Sequence, residues 1–212
     1  MISETPAYLN NTGIRRQDLA WSDWPAIVAF LKDELICRIA VNDGNAPYVS
    51  ALSYTFIRNE FLLHSSRHGR LASLLRAEPV ITIEVDRPVA LLKAPKGQNT
   101  SLEYYSVLAK CRTNFREVAK DVVEHQMAAL GKFRPENDYL PIEQGAAEQI
   151  VAYRCEVLEM TAKKRILADG QYSPPGQPKA PYLRFPFPPG ACINGLGHDA
   201  FDSMRFRAPA RT

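Results

Sequence analysis

Leu35-Ile36-Cys37-Arg38-Ile39-Ala40-Val41, followed by Asn42-Asp43-Gly44-Asn45 and then Pro47-Tyr48-Val49-Ser50-Ala51-Leu52-Ser53-Tyr54, is the stretch on which the fold turns. Leu35, Cys37, Ile39 and Val41 alternate with Ile36, Arg38 and Ala40, the period of two that belongs to a strand with one buried face. Asn and Gly tolerate positive φ, so residues 42–45 read as a tight turn. The run from Pro47 to Ile57, rich in Tyr, Val, Ser, Thr and Phe, is a second strand. Arg58-Asn59-Glu60 turns the chain again into a short third strand, Phe61 to His64. Two successive hairpins make an antiparallel meander.

Working outward, three further strands are expected: Pro79 to Arg87, Ser101 to Arg112 and Gln149 to Thr161. Each carries apolar residues at every second position, such as Ile81, Ile83 and Val85, or Val151, Tyr153, Cys155 and Val157. Helical spacing predicts a first helix over about residues 22–33, capped by Ser22 or Asp23 with Pro25 in its first turn. A short helix follows Gly69 and ends before Pro79, and a longer one spans Phe115 to Leu130 with Gly131 as its stop. Residues 1–14 read as a loose arm and Pro88 to Asn99 as a loop. Six strands in hairpin order with few short helices predict a mainly β fold, a closed or half-closed antiparallel barrel, and argue against a doubly wound parallel sheet. That barrel domain is expected over residues 1–165. Beyond it, residues 166–212 form an extension: half of the 16 prolines lie between Pro174 and Pro209, interleaved with Tyr172, Tyr182, Phe185, Phe187, Phe201 and Phe206. Prolines resist regular structure, yet so many aromatics imply an extended arm packed on this barrel or on a partner subunit.

Composition narrows the function. With 26 Lys and Arg against 23 Asp and Glu the formal charge is +3, which gives no reason to expect a nucleic-acid partner. No apolar run approaches the length of a membrane span, and the first residues lack a secretory pattern, so a cytoplasmic location is expected. Cys37, Cys111, Cys155 and Cys192 are far apart in sequence, and at least the first three fall in strand-like runs, which predicts reduced, buried thiols.

The segment best suited to chemistry is His64-Ser65-Ser66-Arg67-His68-Gly69-Arg70-Leu71. A strand ends, two hydroxyls and a glycine follow, and a helix begins. Backbone N–H groups at a helix start are unpaired and favour an anion, and Arg70 adds a fork suited to phosphate. The pattern is therefore a phosphate cradle, distinct from a Walker loop and from GxGxxG. An N-capped surface helix with basic decoration explains it equally well at this level. His64 and His68 are four apart, but His64 ends a strand, so no metal site is expected. No nucleophile elbow, HExxH motif or pair of carboxylates stands out, and no catalytic side chain is assigned. Such a chain is either a binding module or an enzyme whose cofactor does the chemistry.

The order of these motifs, with Gly69-Arg70, Pro79-Val80 and Glu103-Tyr104-Tyr105-Ser106-Val107, resembles the pyridoxamine 5′-phosphate oxidase-like superfamily, in its nitroimidazole reductase-like branch. The resemblance covers about residues 20–165. It implies the six-stranded FMN-binding split β-barrel and a homodimer with one FMN per subunit at the interface. Ser65, Ser66 and Arg70 would hold the FMN phosphate. Val49, Ser50, Ala51, Leu52 and Ser53 would lie along the flavin ring. Ser106 would sit near the cofactor or the dimer contact, and His64 is the side chain expected near the flavin. Leu71 stands where the family usually has a second basic residue, and Arg67 or His68 is the nearby side chain that could compensate. The pyridoxine-phosphate arginine and histidine motif is not visible in the Pro-rich arm. The expectation is an FMN-dependent oxidoreductase that passes nicotinamide-derived electrons to a small-molecule acceptor. The alternative is a non-catalytic module binding a flavin, with FAD or a deazaflavin in place of FMN, or haem.

Overall fold

In the computed structural model, which describes residues 4–137, 139–173 and 182–187, the first hairpin forms as its alternation dictates. Strand β1 (Ile36–Asn42) pairs antiparallel with β2 (Pro47–Ser53), with Ile39 opposite Ser50. Cys37, Ile39 and Val41 are buried, and Gly44 takes the positive φ of 79° that the turn requires. The expected second strand is divided at Tyr54. Its hydroxyl donates to the Leu31 carbonyl at 2.8 Å, and its ring is buried. At this break the chain changes partner: β3 (Thr55–Ile57) turns through Arg58 and Asn59, both left-handed, and pairs with β4 (Glu60–Ser66).

The remaining elements are α1 (Trp24–Asp33), α2 (Arg70–Ala77), β5 (Val80–Lys93), β6 (Ser101–Arg116), α3 (Ala119–Phe133), α4 (Gln144–Glu148), β7 (Ile150–Arg165), β8 (Tyr172–Ser173) and β9 (Tyr182–Pro186). The sheet runs β2-β1-β5-β6-β7-β4-β3. Its two end strands, β2 and β3, adjoin in sequence at Tyr54, which is the mainly β, split-barrel arrangement expected. Among the described strands β2 pairs with β1 alone, so its other edge is open.

Local chemistry explains the helices. Asp23 caps α1 by accepting from the Ala26 N–H at 3.2 Å, and Pro25 lies in the first turn. Ile27 and Leu31 of α1 and Leu71 and Leu75 of α2 are buried with the inward residues of β1, β5, β6 and β7. A fully buried side chain of this size contributes about 1.5–3 kcal/mol. The thiols of Cys37, Cys111 and Cys155 all lie in this core, and burial raises each pKa, the first two to about 12. No helix among the described residues is long and apolar enough to cross a membrane.

Four local expectations are corrected. The N-terminal arm is not loose where it is described: Leu9 bridges Met160, the Asn10 N–H donates to the Met160 carbonyl at 2.9 Å, and Asn11 accepts from the Ala162 N–H. Gly131 does not stop α3, which continues to Phe133. Lys132 donates to the Glu34 and Tyr54 carbonyls, and that tertiary anchor outweighs the glycine. Residues 88–93 are strand rather than loop, because a proline removes only its own N–H. Finally, the Pro-rich arm does hold strand where described: β9 pairs with Ala90–Lys93 of β5 in the same chain.

Contacts divide the chain into two units, Met1–Asp86 with Tyr105–Arg165, and Arg87–Tyr104 with Ile166–Thr212. The first contains the hairpins, α1 to α4 and the core just described. In the second, the fully buried Glu103 carboxylate accepts from Arg184 Nε at 2.7 Å and from the Leu167 N–H at 2.9 Å. Phe201 and Phe206 lie outside the described residues, as does Cys192.

Candidate functional site

Strand β4 delivers the candidate segment, and its alternation decides where each side chain goes. Leu63 and Ser65 share the inner side, with Leu63 fully buried. The Ser65 hydroxyl is hydrogen-bonded to the Tyr153 hydroxyl of β7 at 2.6 Å. Ser65 is thus committed to the barrel wall. Burial raises the Tyr153 pKa, and the bond to Ser65 partly offsets this. His64 faces the other way, toward α3, where its ring lies 5.7 Å from that of His125, edge to face. Burial lowers the pKa of both imidazoles, that of His125 to about 4 with His64 adding to the effect, so the pair is neutral at pH 7.

Ser66 begins the exposed turn. Its carbonyl accepts from the Gly69 N–H at 3.3 Å. Gly69 is the N-cap of α2, in ordinary extended backbone, and no side chain caps the helix. A Cβ at Gly69 would rest 3.6 Å from the Ser66 carbonyl oxygen, an ordinary contact. The glycine is therefore not required by backbone strain; what it does is leave the helix start bare. No side-chain oxygen caps the first-turn N–H groups of α2, the condition under which a helix end attracts an anion.

Arg70 flanks this bare end. Its guanidinium pairs with Asp43 of the β1–β2 turn and lies 4.6 Å over the Tyr48 ring, while the side chain stays 63% exposed. Arg70 therefore ties the start of α2 to the start of β2. Along β2, Val49 is 58% exposed, Ala51 is exposed, and Ser50, Leu52 and Ser53 are half-buried, with Leu52 packed on the core. The second edge of β2 has no partner strand among the described residues.

The two substitutes for a second basic residue differ in fate. Leu71 itself is buried, 6% exposed, in the core. Arg67 turns inward: its guanidinium donates to the Glu117 carbonyl at 3.0 Å, and its backbone N–H to the Gln149 carbonyl. It fastens the turn to the chain beside β7 and does not join Arg70. His68 is exposed on the turn. Ser106 lies on the outward side of β6, half-buried, between the inward Tyr105 and Val107. It is three strands from β2 in the sheet order, about 14 Å at the usual spacing, so within one chain it does not join the group around Arg70.

The family model for pyridoxamine 5′-phosphate oxidase matches residues 23–164. The chain belongs to the pyridoxamine 5′-phosphate oxidase family. Solved structures of the same fold include the flavocytochrome Anf3 from Azotobacter vinelandii, at 17% identity and a TM-score of 0.70, covering 82% of this chain and 82% of that one. The FAD and heme binding protein from Mycobacterium smegmatis follows at 13% identity and 0.63, covering 77% and 81%. A protein assigned to 5-nitroimidazole antibiotic resistance, from Bacteroides thetaiotaomicron, has 16% identity and a TM-score of 0.60, covering 68% and 86%. No curated protein matches the sequence at a comparable level. Within the family fold, His125 is the residue that sequence reading missed. Helical spacing puts Val118, Val122, Val123, Met127 and Leu130 on one side of α3; of these Val122 is buried while Val118 and Met127 are exposed, and His125, three residues after Val122, shares the buried face. That spacing was the available signal.

Proposed function

We propose that this member of the family binds flavin mononucleotide, with its phosphate at the start of α2, and acts as an oxidoreductase on a small acceptor. The observation that carries the reading is the bare N-terminus of α2 beside the exposed Ser66 and the Arg70 guanidinium. The donor set suits a phosphate: backbone N–H groups, one hydroxyl and one planar cation. When bound, the flavin would supply two-electron transfer between a nicotinamide and the acceptor.

The chain's own part is binding and orientation. Ser66, Arg70 and the α2 amides hold the phosphate. Ser65 acts through Tyr153 by fixing the turn on the barrel wall. The open edge of β2, over Val49 to Ser53, meets the polar edge of the ring with backbone groups. The relatives whose names include FAD, heme or flavocytochrome support the cofactor class. We place the protein in the cytoplasm as a homodimer, with the outward side of β6, including Ser106 and the exposed Leu108, at the subunit contact.

The test is the absorption spectrum of the purified chain before and after anaerobic NADH or NADPH. Flavin bands that bleach on addition support the reading. A Soret band alone, or flavin that no nicotinamide reduces, overturns the oxidoreductase and leaves a binding module.

A further inference from the structure

Away from α2, a cavity of about 420 Å³ opens between the β3–β4 hairpin, the end of β6, α3 and β7. Its volume lies in the range of small-molecule sites, about 300–1,000 Å³. One face of α3 lines it: Asp121, Glu124, His125 and Ala128 stand three and four residues apart. Arg58 of the hairpin and Arg116 of β6 line it as well. Arg154, also on the wall, is spent on Glu60, with its Nε 3.0 Å from that carboxylate.

Two features set this cavity apart from a solvated surface groove. Arg58, Arg116, Asp121 and Glu124 line one space without closing into ion pairs with one another among the described residues. His125, only 6% exposed, lines the same space, and its Nδ1 is buried with no hydrogen-bond partner. The ring is neutral at pH 7 and can offer a hydrogen bond without adding charge. A wall with six charged residues does not suit an apolar macrocycle.

We propose that this cavity binds a small zwitterion of the α-amino acid class, its carboxylate on Arg58 and Arg116, its ammonium on Asp121 and Glu124, and its inner end against His125. The inference is independent of the flavin reading, because none of these residues belongs to the group around Arg70.

The experiment is calorimetric titration of the full chain, as purified, with a panel of L-α-amino acids. Succinate and putrescine serve as anion-only and cation-only probes, and NMR reports on the His125 ring. At least one amino acid should bind with a sub-millimolar Kd and move the His125 ring resonances. Succinate and putrescine should bind at least about tenfold more weakly, and Arg116→Gln and Glu124→Gln should each cost about tenfold or more, the value of one charge-assisted bond. Arg58→Gln, on the exposed hairpin turn, gives the same readout should either of the others fail to fold. No amino-acid binding at millimolar concentration overturns the proposal. So does equal binding of succinate or putrescine, or a ligand indifferent to all three substitutions.

Discussion

Asp43 and a phosphate would compete for the same guanidinium, and this competition gives a prediction with two signs. Arg70 is paired with Asp43 while 63% exposed, so the pair is a surface interaction worth about 0–1 kcal/mol. A guanidinium–phosphate contact contributes about 1.5–3 kcal/mol. Binding FMN trades the first for the second, so Arg70→Ala should weaken FMN by about 0.5–3 kcal/mol, roughly two- to 160-fold. Asp43→Asn removes the competitor and should tighten FMN, by up to about fivefold. In the Arg70→Ala background, Asp43→Asn should have no effect, because the residue it competes for is gone. Quenching of FMN fluorescence on titration with apoprotein measures all four affinities at one salt concentration. Unchanged affinity in Arg70→Ala would remove this residue from the phosphate site. Weaker binding in Asp43→Asn would show that Asp43 positions Arg70 instead of competing for it.

Three further outcomes follow from particular contacts. Arg184→Ala leaves the buried Glu103 carboxylate without its cation and should cost about 3–5 kcal/mol, toward the lower end because Arg184 is itself 22% exposed; loss of amide protection at 90–93 in hydrogen exchange would locate the damage at the β5–β9 pairing. Ser65→Ala strands the Tyr153 hydroxyl and should lower stability by about 1–3 kcal/mol in urea melts, with a smaller change in FMN affinity, whereas Ser66→Ala should do the reverse. His125 has its folded pKa depressed to about 4 from 6.5, so the unfolded chain binds more protons between those values. Stability should be complete above pH 6.5 and fall toward pH 4 by up to about 3 kcal/mol, and His125→Gln should flatten that slope.

The sequence made the hairpins legible because their information is local. Alternation places Cys37, Ile39 and Val41 inward, and the turn residues at 42–45 and 58–59 announce themselves. The break at Tyr54 has no such signal: it sits in an unbroken run of β-formers, and what stops the strand is a hydrogen bond to Leu31, on a different element. The extension of β5 past Pro88 depends on a partner strand more than 90 residues away, and that of α3 past Gly131 on carbonyls at Glu34 and Tyr54. At the site, a helix starting after Gly69 with Arg70 in its first turn was readable from residue order; that no side chain caps it was not. Which of two adjacent serines faces the barrel was settled only by the pairing of β4 with β7, with His64 opposite Ala152 and Ser65 opposite Val151. Asp43 as the partner of Arg70, and Arg67 as an inward clasp, are consequences of packing that no spacing encodes.

The most direct test of the phosphate cradle is the difference between FMN and riboflavin, which share a ring and differ only in the phosphate. In parallel calorimetric titrations of the apoprotein, FMN should bind tighter by at least about 1.5–3 kcal/mol, and Arg70→Ala should shrink that gap. Equal affinities for the two would contradict the account, since the start of α2 would then hold no part of the cofactor.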